Sequence, residues 1–135
     1  MSGFGNISEA AYLGVYSMIL LARENKSLNA TEIAEKLNAS RHHVTKVMHL
    51  LHQSGYLESN RGPKGGYSLQ KDPAKVSLLE IYELLSGKIE INACSFNRSG
   101  CPFAQCVFDD KINALKMEFR NYLNEKTVDH YAAQH

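Results

Sequence analysis

Apolar residues recur along the first half of the chain at the three-and-four spacing of amphipathic helices, separated by short polar stretches. Tyr12, Val15, Tyr16, Ile19 and Leu20 predict a helix from Ser8, a ready N-cap, to about Glu24, with this stripe turned toward the core. After a polar break, Asn29 can cap a shorter helix whose inward residues are Ile33, Ala34 and Leu37. The turn Asn38-Ala39-Ser40 leads into a third helix, Arg41 to about Ser54, with Val44, Val47, Met48 and Leu51 on its inner face and Gly55 at its end. The pattern then becomes strand-like: 56–60 and 67–69 predict two short strands around the glycine-rich run from Arg61 to Gly66. Val76 to Leu85 reads as a further helix stopped at Ser86-Gly87. A long one runs from about Asp109 to Lys126, with Asp109 and Asp110 at its positive end. The expected fold class is mainly α: a winged helix-turn-helix domain over 1–86, a cysteine-containing loop over 87–108, and a long C-terminal dimerisation helix with its tail over 109–135.

The second and third helices satisfy the helix-turn-helix pattern. Ala34 is small where the two must approach, Leu37 and Ala39 bracket the turn, and Val44 and Val47 anchor the second member. Asn38 stands where glycine is common, and asparagine tolerates the left-handed backbone such a turn requires. The outward face presents Arg41, His42, His43, Thr45, Lys46 and His49, with Ser40 at its start, a donor-rich set suited to base edges and phosphates in the major groove of double-stranded DNA. The hairpin that follows reads as a wing, with Arg61 and Lys64 placed for backbone or minor-groove contact. Its glycines do not make a nucleotide-binding loop, because the run lacks a Gly-Lys-Ser/Thr ending and joins strand to strand.

Charge sharpens this picture. The net charge of +1 hides a segment, 41–71, with five basic and one acidic side chain and four of the six histidines. Such a local patch fits phosphate contact. The histidines lie on an exposed reading surface, so catalysis is not expected, and His49 with His52 as a metal pair is a minor alternative. The apolar run from Ala11 to Ala22 is broken by polar residues and falls short of the roughly 20 needed to span a bilayer, so no membrane association is expected. Residues 1–6 lack the features of an export signal, which places the chain in the cytoplasm as an expectation.

Thr31-Glu32-Ile33-Ala34, the Arg41 helix, Gly55-Tyr56-Leu57 and the run from Arg61 to Leu69 resemble the Rrf-type family of bacterial winged-helix regulators, which includes iron–sulfur (IscR-like) and nitric-oxide-sensing (NsrR-like) members. The resemblance runs from about Ser8 to Tyr131. The start of the recognition helix at 40–43 and the ending at 119–131 are most similar to the NsrR-like branch. It implies a DNA-binding transcriptional regulator, a repressor by expectation. Ile112, Leu115, Phe119 and Tyr122 recur as a narrow seam along the last helix and point to a homodimer, whose two-fold axis suits a palindromic operator.

The chain has three cysteines, Cys94, Cys101 and Cys106, all in the loop before that helix. An odd count argues against a disulfide framework and leaves metal ligation or redox sensing. Thiolates are the preferred ligands of iron–sulfur clusters, and the expected cofactor is a [2Fe-2S] or [4Fe-4S] cluster held by all three. IscR-like relatives space their cysteines with five residues in each gap. Here the gaps are six and four, so the outer span is kept and the central residue is shifted by one. The resemblance leaves the fourth ligand open: the IscR-like histidine position is Asp109, the NsrR-like aspartate position is Tyr12, and the nearest carboxylate to the latter is Glu9. The signal would be nitric oxide, redox state or cluster supply. Structural zinc, for which close ligand pairs are missing, a thiol switch between Cys101 and Cys106, and an electron-transfer protein without DNA binding are the alternatives.

Overall fold

The computed structural model describes residues 7–92, 94 and 100–134. The reading of residues 1–6 as free of an export signal, and the part of the cysteine loop at 93 and 95–99, lie outside the described residues. Helix α1 (Glu9–Glu24) begins where Ser8 accepts a hydrogen bond from the Ala11 N–H and ends at Asn25, whose left-handed backbone breaks it. Asn29 and Glu32 form a reciprocal capping box at the start of α2 (Ala30–Leu37). Asn38 takes the left-handed conformation anticipated for the turn, and α3 (Arg41–Gln53) follows from the Ser40 cap. Strands β1 (Leu57–Asn60) and β2 (Gly66–Leu69) pair antiparallel, with Leu57 opposite Leu69 and Asn60 opposite Gly66. A 3-10 turn (Pro73–Lys75), α4 (Leu78–Ser86), α5 (Asp109–Glu125) and α6 (Val128–Ala132) complete the chain.

The core forms around α1, against which α2, α3, α4 and α6 pack. Leu13, Met18, Ile33, Val44, Met48, Leu51 and Ile81 are all fully buried in it. Burying each of the larger side chains contributes roughly 1.5–3 kcal/mol, more than the roughly 1 kcal/mol of a helix cap. Packing therefore sets the orientation of α3, and its cap only trims where it begins.

The face that α1 buries keeps Leu20 of the apolar stripe, with Val15 and Ile19 partly buried against the core, but not its tyrosines. Leu13, Gly14, Ser17, Met18 and Leu21 are buried, whereas Tyr12 and Tyr16 are exposed. The cause is close approach: a Cβ at Gly14 would lie 2.9 Å from Leu85 Cδ2, so α1 meets α4 through its smallest residue and turns the tyrosines outward. The two tyrosine rings lie tilted against each other instead, with centroids 4.9 Å apart.

The wing is docked on the body by backbone. Leu28 and Tyr67 exchange N–H···O bonds of 3.0 and 2.8 Å, adding a single bridge beside β2. Gly66 permits this, since a Cβ there would lie 2.5 Å from the Leu28 carbonyl. At the other end of the hairpin the Tyr56 hydroxyl donates to Glu80 Oε1 at 2.7 Å, and the Lys71 ammonium stands 4.2 Å from the Tyr56 ring centroid. Glu80 also closes the Ser77 capping box of α4, so one carboxylate ties the wing to that helix.

The C-terminal segment returns to the core. Leu78 N–H donates to the Lys126 carbonyl and Val128 N–H to that of Val76, each at 2.9 Å, and α6 packs on α1 with Val128 and Ala132 buried. The sequence reading had treated this stretch as a tail. Helix α5, by contrast, buries only Leu123. Phe119 of its seam meets the Tyr82 ring edge-on at 5.6 Å, Ile112 is half-buried, and Leu115 and Tyr122 are exposed.

Burial, then the hydrogen bond and charge of Glu80, push the Tyr56 phenol from its ordinary value of 10.0 up to about 12. The fold holds the protonated form, so this stabilisation is complete below pH 10 and is lost as pH rises through about 12. Tyr56→Phe is expected to cost about 1 kcal/mol near neutral pH and to weaken the alkaline loss of stability, measured by urea unfolding over a pH series.

Candidate nucleic-acid interface and cysteine loop

Each residue anticipated for the recognition face is exposed: Arg41, His42, His43, Thr45, Lys46 and His49 all lie outside the buried stripe of α3. Ser40 has a second duty there, accepting the His43 N–H at 3.5 Å as the helix cap. Thr45 donates its hydroxyl to the Arg41 carbonyl at 2.8 Å, which leaves its methyl and an oxygen lone pair for any partner. The His42 and His43 rings lie 5.9 Å apart, tilted by 51°. His52, near the end of α3, meets the Tyr67 ring edge-on, so α3 and the second wing strand touch.

Arg61 and Lys64 sit exposed at the wing tip, where Gly65 N–H closes the turn onto the Gly62 carbonyl at 2.9 Å. A Cβ on Gly65 would lie 2.4 Å from the Asn60 carbonyl oxygen, so the turn depends on glycine there. Asn60 donates to Ser27 at 2.7 Å and to Ser68 at 3.1 Å, which steadies the wing behind its basic tip. The arrangement is a helix and a hairpin that both expose basic side chains.

One polar contact on this face had no signal in the local sequence. Glu9, considered above as a cluster ligand, pairs through Oε1 with Nδ1 of His43. Together with Ala10, Leu13, Lys46 and Val47 the two residues line a shallow groove of about 440 Å³ between α1 and α3.

The cysteine loop joins α4 to α5, and its first residues are held. The Glu83 carboxylate accepts the Ile89 N–H at 2.9 Å, Asn113 of α5 accepts the Asn92 N–H at 3.0 Å, and Lys116 reaches the Glu90 carbonyl at 3.4 Å. Cys94 and Cys101 are exposed and Cys106 is half-buried. The Asp109 N–H donates to Cys106 Sγ at 3.4 Å, so sulfur stands where a side-chain cap would, at a helix start whose N-cap position, Phe108, supplies none. Phe103, Val107 and Phe108 are exposed beside these sulfurs. Three soft donors on an accessible loop fit an iron–sulfur cluster by chemistry. Among the described residues no three histidine, cysteine or carboxylate side chains are gathered as a ligand set, so ligation by all three requires the loop to draw in.

Residues 7–134 match the Rrf2 family, described as iron-dependent transcriptional regulators. The chain belongs to the Rrf2 family. It is 30% identical over 120 residues to a protein of Aquifex aeolicus assigned as an HTH-type transcriptional regulator, covering 84% of this chain and 83% of that one. It is 27% identical to the HTH-type transcriptional regulator NsrR of Bacillus subtilis, over 86% of this chain and 81% of the relative. The fold matches that of CymR, the global cysteine regulator of B. subtilis, with a TM-score of 0.79 at 22% identity, covering 96% and 98% of the two chains. IscR of T. potens gives 0.74 at 21% identity, over 96% and 87%. Membership makes this chain an HTH-type transcriptional regulator that binds DNA. No helix among the described residues is long and apolar enough to cross a membrane.

Ser40→Ala is expected to lower stability by about 0.5–1 kcal/mol through loss of the α3 cap, while Ser40→Asp keeps it. Thermal or urea unfolding of both variants checks this, and equal loss in the two would refute the capping role.

Proposed function

We propose that this Rrf2-family regulator is a homodimeric repressor of a palindromic double-stranded DNA operator, controlled by an iron–sulfur cluster held by Cys94, Cys101 and Cys106. The observation that carries the reading is the union in one chain of an exposed basic winged helix-turn-helix with three soft donors on the loop between α4 and α5. Arg41, His42, His43, Thr45, Lys46 and His49, entered through Ser40, read the major groove, and Arg61 and Lys64 contact the backbone. The exposed Leu115 and Tyr122 on a helix that buries little against its own core support pairing of two copies along α5.

When bound, the cluster supplies a centre that reacts with nitric oxide or oxidants or reports cluster supply. The chain's own part is mechanical. The loop starts at the end of α4 and is tied to α5 through Asn92–Asn113 and Glu90–Lys116, so drawing the cysteines together acts on the helix along which the copies pair. A shift of a few ångströms against the roughly 34 Å half-site repeat can lose base contacts worth about 1–3 kcal/mol each.

A second reading keeps the regulator and replaces the cofactor. Cys101 is exposed and Cys106, with four residues between them, is half-buried, and a disulfide formed on oxidation would reshape the same loop. A zinc site would do so without colour.

Anaerobically purified protein is expected to be coloured and to contain iron and acid-labile sulfide, and nitric oxide should bleach its visible spectrum. Protein without iron or sulfide that resists reconstitution would move the reading to the thiol switch or zinc. Replacing Cys94, Cys101 and Cys106 by Ser should abolish regulated release of DNA; normal release would refute sensing through the loop. Arg61→Ala and Lys64→Ala should each weaken binding about equally on all sequences and reduce the salt slope by about 1, read by fluorescence anisotropy across salt concentrations.

A further inference from the structure

The recognition face carries a negative charge at a place where DNA binding alone gives it no purpose. Glu9 and His43 are 61% and 53% exposed in their side chains, so their pair lies on the open surface and holds little of the fold together. A carboxylate there stands in the path of the phosphates and opposes non-specific attraction. Yet Glu9 is delivered from a fixed place. It is the first residue of α1, whose cap Ser8 accepts from Ala11 N–H at 3.1 Å and meets the Ser86 hydroxyl of α4 at 2.6 Å. Two helices thus clamp the backbone from which this carboxylate reaches across to α3.

We propose that Glu9 is a positioning residue for DNA reading: it holds the His43 ring through Nδ1, so that Nε2 is the ring atom left to meet a base edge. The inference rests on the assignment of α3 as recognition helix. An unrestrained surface histidine turns about two side-chain bonds and exchanges tautomers, offering donor or acceptor from either nitrogen. Such a residue tolerates several base pairs. With Nδ1 occupied by Glu9, Nε2 is the ring nitrogen left to hydrogen-bond a base edge in the major groove. Glu9 thereby trades affinity for discrimination, since the charge that weakens attraction to any DNA also makes His43 selective.

The test is selection of bound duplexes from a pool with randomised half-sites, using full-length wild type and the variants Glu9→Ala, Glu9→Gln, His43→Ala and the double alanine variant. Urea unfolding first establishes that all are folded. Glu9→Ala is expected to lose about fivefold to tenfold of preference at one or two base pairs per half-site. These are the pairs at which His43→Ala loses it, and the double variant loses no more. Binding to one fixed non-specific duplex should be unchanged or tighter. Glu9→Gln keeps an oxygen for the Nδ1 proton and should retain most of the preference. The proposal is overturned if Glu9→Ala leaves every preference intact, weakens all positions alike, or adds its loss to that of His43→Ala. A wild-type protein that enriches no sequence would overturn the DNA-reading assignment itself, an outcome separate from failure of the Glu9 role alone.

Discussion

The close approach of α1 to α4 at Gly14 is the constraint on which the rest of the structure depends. A Cβ at Gly14 would lie 2.9 Å from Leu85 Cδ2 and 3.4 Å from Ile81 Cγ2, so glycine lets α1 settle against α4 without displacing Leu85. Once it does, Leu13, Met18 and Leu21 are committed to the interior. Helix α1 also packs against α2, α3, β2 and α6, which makes it the common support of reader, wing and C-terminal segment. The same geometry turns Tyr12 and Tyr16 outward and sets the first turn of α1 beside the recognition helix.

The helix-turn-helix and the wing are fixed by different interactions. The α2–α3 pair is held by buried aliphatic side chains and by the left-handed Asn38, whose peptide region returns hydrogen bonds to the end of α2. The wing is held by backbone pairing to Leu28 and by the Tyr56–Glu80 bond to the N-terminus of α4. These contacts fix the spacing of helix and hairpin without using the exposed basic side chains. The cysteine loop is built in the opposite way, with its first residues tied to α4 and α5 and Cys94 and Cys101 exposed.

Much of this was legible from local patterning. The caps Ser8, Asn29 and Ser40 lie in the sequence next to the helices they start, so α1 to α3 could be placed with little error, whereas α4 starts two residues later than expected, at the Ser77 cap. The inner face of α3 was equally plain, because Val44, Val47, Met48 and Leu51 recur at helical spacing among charged residues. The buried face of α1 was not, since tyrosine counts as apolar in a periodicity while glycine and serine do not, and only the partner helix decides which side is covered. Helix α6 was missed as an element because five residues carry too little periodicity to stand alone. Its place comes from the Val76–Val128 and Leu78–Lys126 backbone bonds, which join segments distant in sequence.

The sequence by itself determined the helix-turn-helix, the wing, the basic segment and the three-cysteine loop, because each is specified by residues adjacent or within a few turns of one another. The tertiary structure decided which face of α1 is buried, that the C-terminal segment closes on the core, and that Glu9 meets His43. Those outcomes depend on how closely two backbones can approach, and that distance is set by side chains far apart along the chain.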